Sequence, residues 1–191
     1  MTDPVLEIDD LYTHFFTRER GVVKAINGVS FSLNPGEIVA LVGESGSGKT
    51  VTALSILNIV PFPGRIFRGS IKYRGEDLVG MDKEKLRYIR GEEIAMIFQD
   101  PLAALNPVMN VGDQILEVVG AHRSHLSNEE KWEMASEAIR KAGLSDPERV
   151  LTSFPFQLSG GMAQRIMLAI GLMMEPTVLI ADEPTSSLDV T

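Results

Sequence analysis

Three short stretches of the chain carry residue types whose spacing does phosphate chemistry. Gly43 to Thr50 reads GESGSGKT and matches G-x-x-x-x-G-K-[ST] in full. In such a loop Gly43, Glu44, Ser45, Gly46, Ser47 and Gly48 turn backbone N–H groups inward onto phosphate oxygens. Lys49 supplies a point charge, the Thr50 hydroxyl ligates magnesium, and Val51 continues into a helix whose positive dipole end faces the anion. A phosphate loop needs a carboxylate across the metal from its Thr, and the apolar run Val178 to Ala181 ends in Asp182-Glu183. Asp182 fits that metal role; Glu183, pointing differently one residue on, is placed to polarise a water for in-line attack on a γ-phosphate. The third stretch is Leu158-Ser159-Gly160-Gly161-Met162. There Ser159 can cap the following helix while Gly160 and Gly161 leave N–H groups bare, making an anion site with no phosphate loop of its own beside it. Together they spell nucleoside triphosphate binding with a metal and a water.

The elements that must position these residues follow from periodicity. The apolar run Ile38 to Val42 predicts a strand leading into the loop, and Val51, Ala53, Leu54, Ile56 and Leu57 predict a buried helix after it, ended by Pro61 and Pro63. Val5 to Asp10, Lys24 to Leu33 and Gly69 to Tyr73 alternate at period two and predict an antiparallel layer, with Asn34-Pro35-Gly36 as a turn. Glu93 to Phe98 predicts a buried strand, and Val178 to Ala181 another. Ser127 and Glu130 form a capping box before a helix striped by Trp132, Ala135, Ile139 and Ala142, with Gly143 as its stop. A last helix is predicted from Ser159 through Met173. The expected fold is α/β: a parallel sheet with its ligand at the carboxyl edge, an antiparallel β layer before it and a helical insertion in the middle.

Composition narrows the class. With 191 residues, 44% hydrophobic, the chain can bury a sizeable core. No apolar run reaches the roughly 18 residues of a membrane span, and the acidic start MTDPVLEIDD does not read as a signal peptide, so a cytoplasmic location is expected. The absence of cysteine excludes disulfides, iron–sulfur clusters and thiolate zinc sites; His14, His122 and His125 are too scattered for an imidazole site. Magnesium is the expected metal. A net charge of −8 argues against broad nucleic-acid or anionic-lipid binding, so membrane association would run through a protein partner.

With LSGGM between the phosphate loop and the acidic strand end, the chain resembles the nucleotide-binding subunits of ABC transporters, whose signature LSGGQ, or LSGGM in many importers, stands in that place. GVVKAINGVSFSL, GESGSGKT, IAMIFQDPLAALNP and IADEPTSSLDVT are similar to the wording of the peptide and nickel importer group. The resemblance covers essentially the whole chain. It implies a P-loop NTPase (RecA-like) core at 1–90 and 162–191 and a helical, signature-bearing lobe at 91–161. Gln99 becomes the Q-loop residue sensing metal or water, beside Lys49 and Glu183 as catalytic residues. Thr50, Gln99 and Asp182 become the metal residues, and Ser186 and Asp189 belong to the D-loop. Phe15 takes the adenine-stacking place, with Tyr12 and Phe16 as alternatives. The implied ligands are ATP and Mg2+. The implied partners are a second ATP-binding subunit whose ATP receives Ser159, Gly160 and Gly161, integral-membrane permease subunits at the cytoplasmic face, and indirectly an extracytoplasmic solute-binding protein. Nucleic acid is not among them.

The chain departs from the group at Ala163, where Arg is usual, and at Phe156, where His or similar is common. Group members run on past the D-loop to a switch histidine and a C-terminal extension, so this sequence is expected to be a fragment or truncated product that turns ATP over poorly. A soluble ABC ATPase of repair or translation, and a catalytically silent regulator, remain as alternatives to a transport ATPase.

Overall fold

The computed structural model describes residues 3–19 and 21–184. It divides into two compact parts, Met1–Arg87 and Tyr88–Thr191.

The first part is built on an antiparallel sheet of β1 (Leu6–Thr17), β2 (Gly21–Leu33), β3 (Gly64–Tyr73) and β4 (Glu76–Asp77), in the order β2-β1-β3-β4. β1 pairs Leu6 with Leu33 on one side and with Tyr73 on the other. It runs well past the predicted end at Asp10 because Asp10 takes a left-handed backbone (φ 47) and the register shifts there, which resets the alternation. Leu6 and Ile8 are buried before the shift, Leu11 and Thr13 after it. Gly69 (φ 99) faces the same irregularity, and a Cβ there would run into the Asp10 carbonyl oxygen. Helix α1 (Lys49–Ile56) is tied to β1 by a buried bond between the Thr13 and Ser55 hydroxyls, 2.9 Å apart. Ser55 already donates to the Val51 carbonyl, so Thr13 is the donor between them.

The run Ile38 to Val42 corrects the sequence expectation. It is not a strand: no ladder among the described residues pairs with it, and Ile38 and Val42 are 96% and 94% exposed. Hydrophobic composition favours a strand only where another strand supplies hydrogen bonds on at least one side, and here none does.

The chain passes into the second part within α2 (Lys83–Glu92), which is interrupted by non-helical backbone at Arg90 and Gly91. There β5 (Ile94–Ile97) and β6 (Val178–Ala181) pair in parallel, Ile94 opposite Val178 and Ile97 opposite Ala181. The helices are α3 (Pro101–Ala104), α4 (Val111–His122), α5 (Asn128–Lys141), α6 (Pro147–Thr152) and α7 (Gly160–Leu172). Their core is formed by residues such as Val111, Ile115, Ile139, Leu151 and Ile166, all fully buried. The capping box of α5 is present as read, Ser127 accepting from the Glu130 N–H and Glu130 from the Ser127 N–H. Those bonds hold the Glu130 carboxyl below the usual carboxylate range. Glu92, mostly buried, is bonded by Arg123 at 2.7 Å, which ties the end of α2 to the end of α4. Among the described residues no helix is long and apolar enough to cross a membrane.

Candidate functional site

The phosphate loop is shaped by its own backbone. Gly46 (φ 80) and Gly48 (φ 98) are left-handed, and Gly48 forms the N-cap of α1 in that conformation. Gly48 has a second constraint: a Cβ there would lie 2.6 Å from the Ala25 carbonyl oxygen of β2. The register of β1 with β2 skips Ala25, so a β-bulge is what brings that carbonyl against the loop. A Cβ on Gly43 would meet Ser47 Oγ at 2.6 Å, so the two ends of the loop touch. Lys49 turns back over the loop and donates to the Gly43 carbonyl (2.9 Å) and the Glu44 carbonyl (3.1 Å). Thr50 is exposed on the first turn of α1. A cation inside a ring of backbone, at a helix N-terminus, is an arrangement that accepts an anion of several oxygens, as a polyphosphate is.

In the second part, the end of β6 is fixed from several directions. The Asp182 N–H donates to the Ile97 carbonyl (3.0 Å), extending the β5–β6 pairing by one bond. Asp182 is 8% exposed. Glu183 takes a left-handed backbone (φ 46), a conformation costing a non-glycine residue about 1–2 kcal/mol. Its carboxylate accepts a hydrogen bond of 2.6 Å from Gln99 Nε2, so the structure brings together two residues that lie far apart in sequence. Gln99 follows β5, and Asp100 then caps α3 by accepting from the Ala103 N–H. The Pro184 carbonyl accepts from Gln164 Nε2 at 2.8 Å. Gln164 was given no role in the sequence analysis. Its signal was available, a polar amide near Ala163, Ile166 and Met167 on a helix whose other polar side chain is Arg165.

At the start of α7, Ser159 Oγ accepts from the Met162 N–H at 3.3 Å. A Cβ added at Gly160 or Gly161 would meet nothing within 4 Å. Packing within the described chain therefore does not demand glycine at either position. Ala163, by contrast, is fully buried, and Phe156 is exposed and stacked on Phe154. Ser186 and Asp189 lie outside the described residues.

The family model described as ABC transporter matches residues 26–186, a span that takes in the phosphate loop, Gln99, the glycine pair and Asp182-Glu183. The chain belongs to the ABC transporter family. It is 46% identical over 188 residues to the oligopeptide transport ATP-binding protein AppD of Bacillus subtilis, and 44% identical over 192 residues to the probable D,D-dipeptide transport ATP-binding protein DdpD of Escherichia coli. These alignments cover 98% and 100% of the chain but 57% and 58% of those relatives, so the chain spans little more than half their length. Among solved structures it is similar, with a TM-score of 0.84 and 27% identity over 97% of the chain and 76% of its counterpart, to the ATP-binding cassette MJ0796, a dimer in a post-hydrolysis state bound to ADP and Pi. The fold is that of the ABC ATPase cassettes, mixed α/β with an antiparallel and a parallel sheet.

Within this ABC cassette the three aromatics weighed for adenine are separated by strand parity. Phe15 shares the face of Thr13, which bonds α1, and its ring lies against Gly64, where a Cβ would come within 2.6 Å of Phe15 Cε1. Tyr12 and Phe16 stand on the other face with His14 and Phe67, and each carries an arginine over its ring, Arg68 over Tyr12 and Arg65 over Phe16.

Proposed function

We propose that the chain is the nucleotide-binding part of a subunit that binds ATP with Mg2+ and hydrolyses it to energise import of peptides or a related small solute. The observation that carries this reading is the complete phosphate loop, with the Lys49 ammonium turned into it at the N-terminus of α1. Lys49 would replace its two carbonyl acceptors with β- and γ-phosphate oxygens, and the loop amides would take the rest. Thr50 and Asp182 offer a hydroxyl and a carboxylate, the hard oxygen donors that suit magnesium, with Gln99 as a further oxygen. When bound, that ion would neutralise charge on the phosphates. Glu183 would accept a proton from the attacking water, with Gln99 holding its carboxylate meanwhile. Phe15 is the adenine platform, on the sheet face that carries the bond to α1.

Ser159, Gly160 and Gly161, with Ser186 and Asp189, would serve the ATP of a second ATP-binding subunit. The open space around both glycines supports this use. Integral-membrane permease subunits, and through them an extracytoplasmic solute-binding protein, are the further partners, with the subunit peripheral at the cytoplasmic face. The peptide assignment rests on the relatives, which are named for oligopeptide and dipeptide transport.

Isothermal titration of the complete subunit tests the reading. Lys49→Ala should weaken ATP binding at least tenfold and leave adenosine within about twofold, because the lost contact is to phosphate. Equal weakening of both ligands would remove the loop from phosphate binding.

A further inference from the structure

We propose that Gln164 is a positioning residue for Glu183, holding the turn after β6 from the first part of α7 so that the helix opened by Ser159 controls where the Glu183 carboxylate points. This rests on Glu183 being the base for water attack, as argued above. Gln164 is 1% exposed among apolar neighbours, where an unbonded amide is costly and a nonpolar residue of similar volume would fit. What the amide does there is donate to the Pro184 carbonyl at 2.8 Å. On the near side of Glu183, the Asp182 N–H is pinned to the Ile97 carbonyl, and on the far side the Pro184 carbonyl is pinned by Gln164. Between the two pins sits a non-glycine residue in the left-handed region, a conformation that persists only where the surroundings hold it. Gln99 touches the carboxylate itself, whereas among the described residues Gln164 bonds to backbone, so Gln164 acts through the φ and ψ of Glu183.

Gln164 also stands just over one helical turn after the Ser159 cap, in an unbroken helix. A shift of the first turn of α7 therefore moves the amide and, through it, the Pro184 carbonyl. Contact at Ser159 and Gly161 and the aim of Glu183 become mechanically linked within one chain, which makes occupancy of the glycine pair a condition for hydrolysis at the chain's own base.

The test is a double-mutant cycle in the complete subunit, assembled with its partners, read by phosphate release. Gln164→Met conserves volume and removes the donor. It should lower kcat at least tenfold while KM for ATP stays within threefold and the melting temperature within a few degrees. In a Glu183→Gln background the same substitution should have no further effect, since a residue that works only through Glu183 has nothing left to position. An unchanged kcat for Gln164→Met, or an equal fractional loss in both backgrounds, overturns the proposal. Near wild-type turnover of Glu183→Gln would instead overturn the assignment of the base, and is read independently of Gln164. Should Gln164→Met fold poorly, Gln164→Glu gives a second readout. Its protonated carboxyl can donate to the Pro184 carbonyl and its carboxylate cannot, so turnover relative to wild type should rise as pH falls from 8 to 6. A flat ratio would refute the role.

Discussion

The segment leading to Lys49 and the segment leading to Glu183 reach their motifs by opposite routes. Both begin with short apolar runs of strand-like composition, Ile38 to Val42 and Val178 to Ala181. The first stays unpaired and exposed, and its motif is held mostly by local means, left-handed glycines and the bonds from Lys49 to the carbonyls of its own loop, with one contact from afar, the Ala25 carbonyl of β2. The second lies in a ladder with β5, and its motif is held by residues remote in sequence, Ile97, Gln99 and Gln164. A phosphate loop is therefore mainly a property of a short sequence, and an aligned carboxylate is a property of a packed fold.

The difference is sharpest in stability. Ile97 is 1% exposed, and Ile97→Ala should cost the 191-residue chain about 2–4 kcal/mol, whereas Ile38→Ala, removing no packed surface, should cost less than about 0.5 kcal/mol. Urea denaturation of both variants checks this. Comparable losses would mean that the first run is buried in solution. Gly48→Ala should come next, at roughly 1–3 kcal/mol, because it adds left-handed strain and a Cβ against the Ala25 carbonyl. Gly160→Ala, which meets nothing within 4 Å, is the matched control and should change the melting temperature little. A Gly48→Ala variant as stable as Gly160→Ala would show that the bulge at Ala25 does not shape the loop.

The same contrast accounts for what could be read from the residues alone. GESGSGKT, the helix after it and the capping box of α5 were legible because each is decided by neighbours within a few positions. The strand expected at 38–42 was not, because pairing depends on a second segment that composition does not reveal. β1 was read short, since one left-handed residue at Asp10 hides a continuing alternation behind a change of phase. Helices α2, α4 and α6 went unseen as separate elements, although Asn110 and Asp146 each cap a helix that follows. The resemblance named Gln99 and Glu183 as site residues but not the bond between them, and the bond from Gln164 to Pro184 came from neither source. Long-range hydrogen bonds leave no periodicity.

Two smaller effects test how local the local devices are. Lys49→Met should leave the melting temperature of the nucleotide-free chain within a few degrees, since its bonds to the loop carbonyls are solvent-accessible; a large drop would make the lysine a structural strut. The smallest effect concerns a device outside both segments. Because the capping box holds the folded Glu130 carboxyl below its unfolded value, its contribution is present above the usual carboxylate range and is lost as pH falls through the folded value. Wild type minus Glu130→Ala, in melting temperature, should shrink as pH drops below about 4. A difference that grew with acid would reverse the sign of the linkage.

The two bonds by which Lys49 holds its own loop also act as a threshold. An incoming anion must outcompete an acceptor pair already in place at 2.9 and 3.1 Å, each such bond being worth on the order of 1 kcal/mol net. A lone orthophosphate, meeting few amides, gains little beyond what it displaces. A triphosphate spreads its oxygens along the whole loop and recovers the cost several times over. On the proposed reading the lysine would thus be an internal rival to every ligand, setting one fixed cost that an anion with few oxygens has less contact energy to offset than one with many.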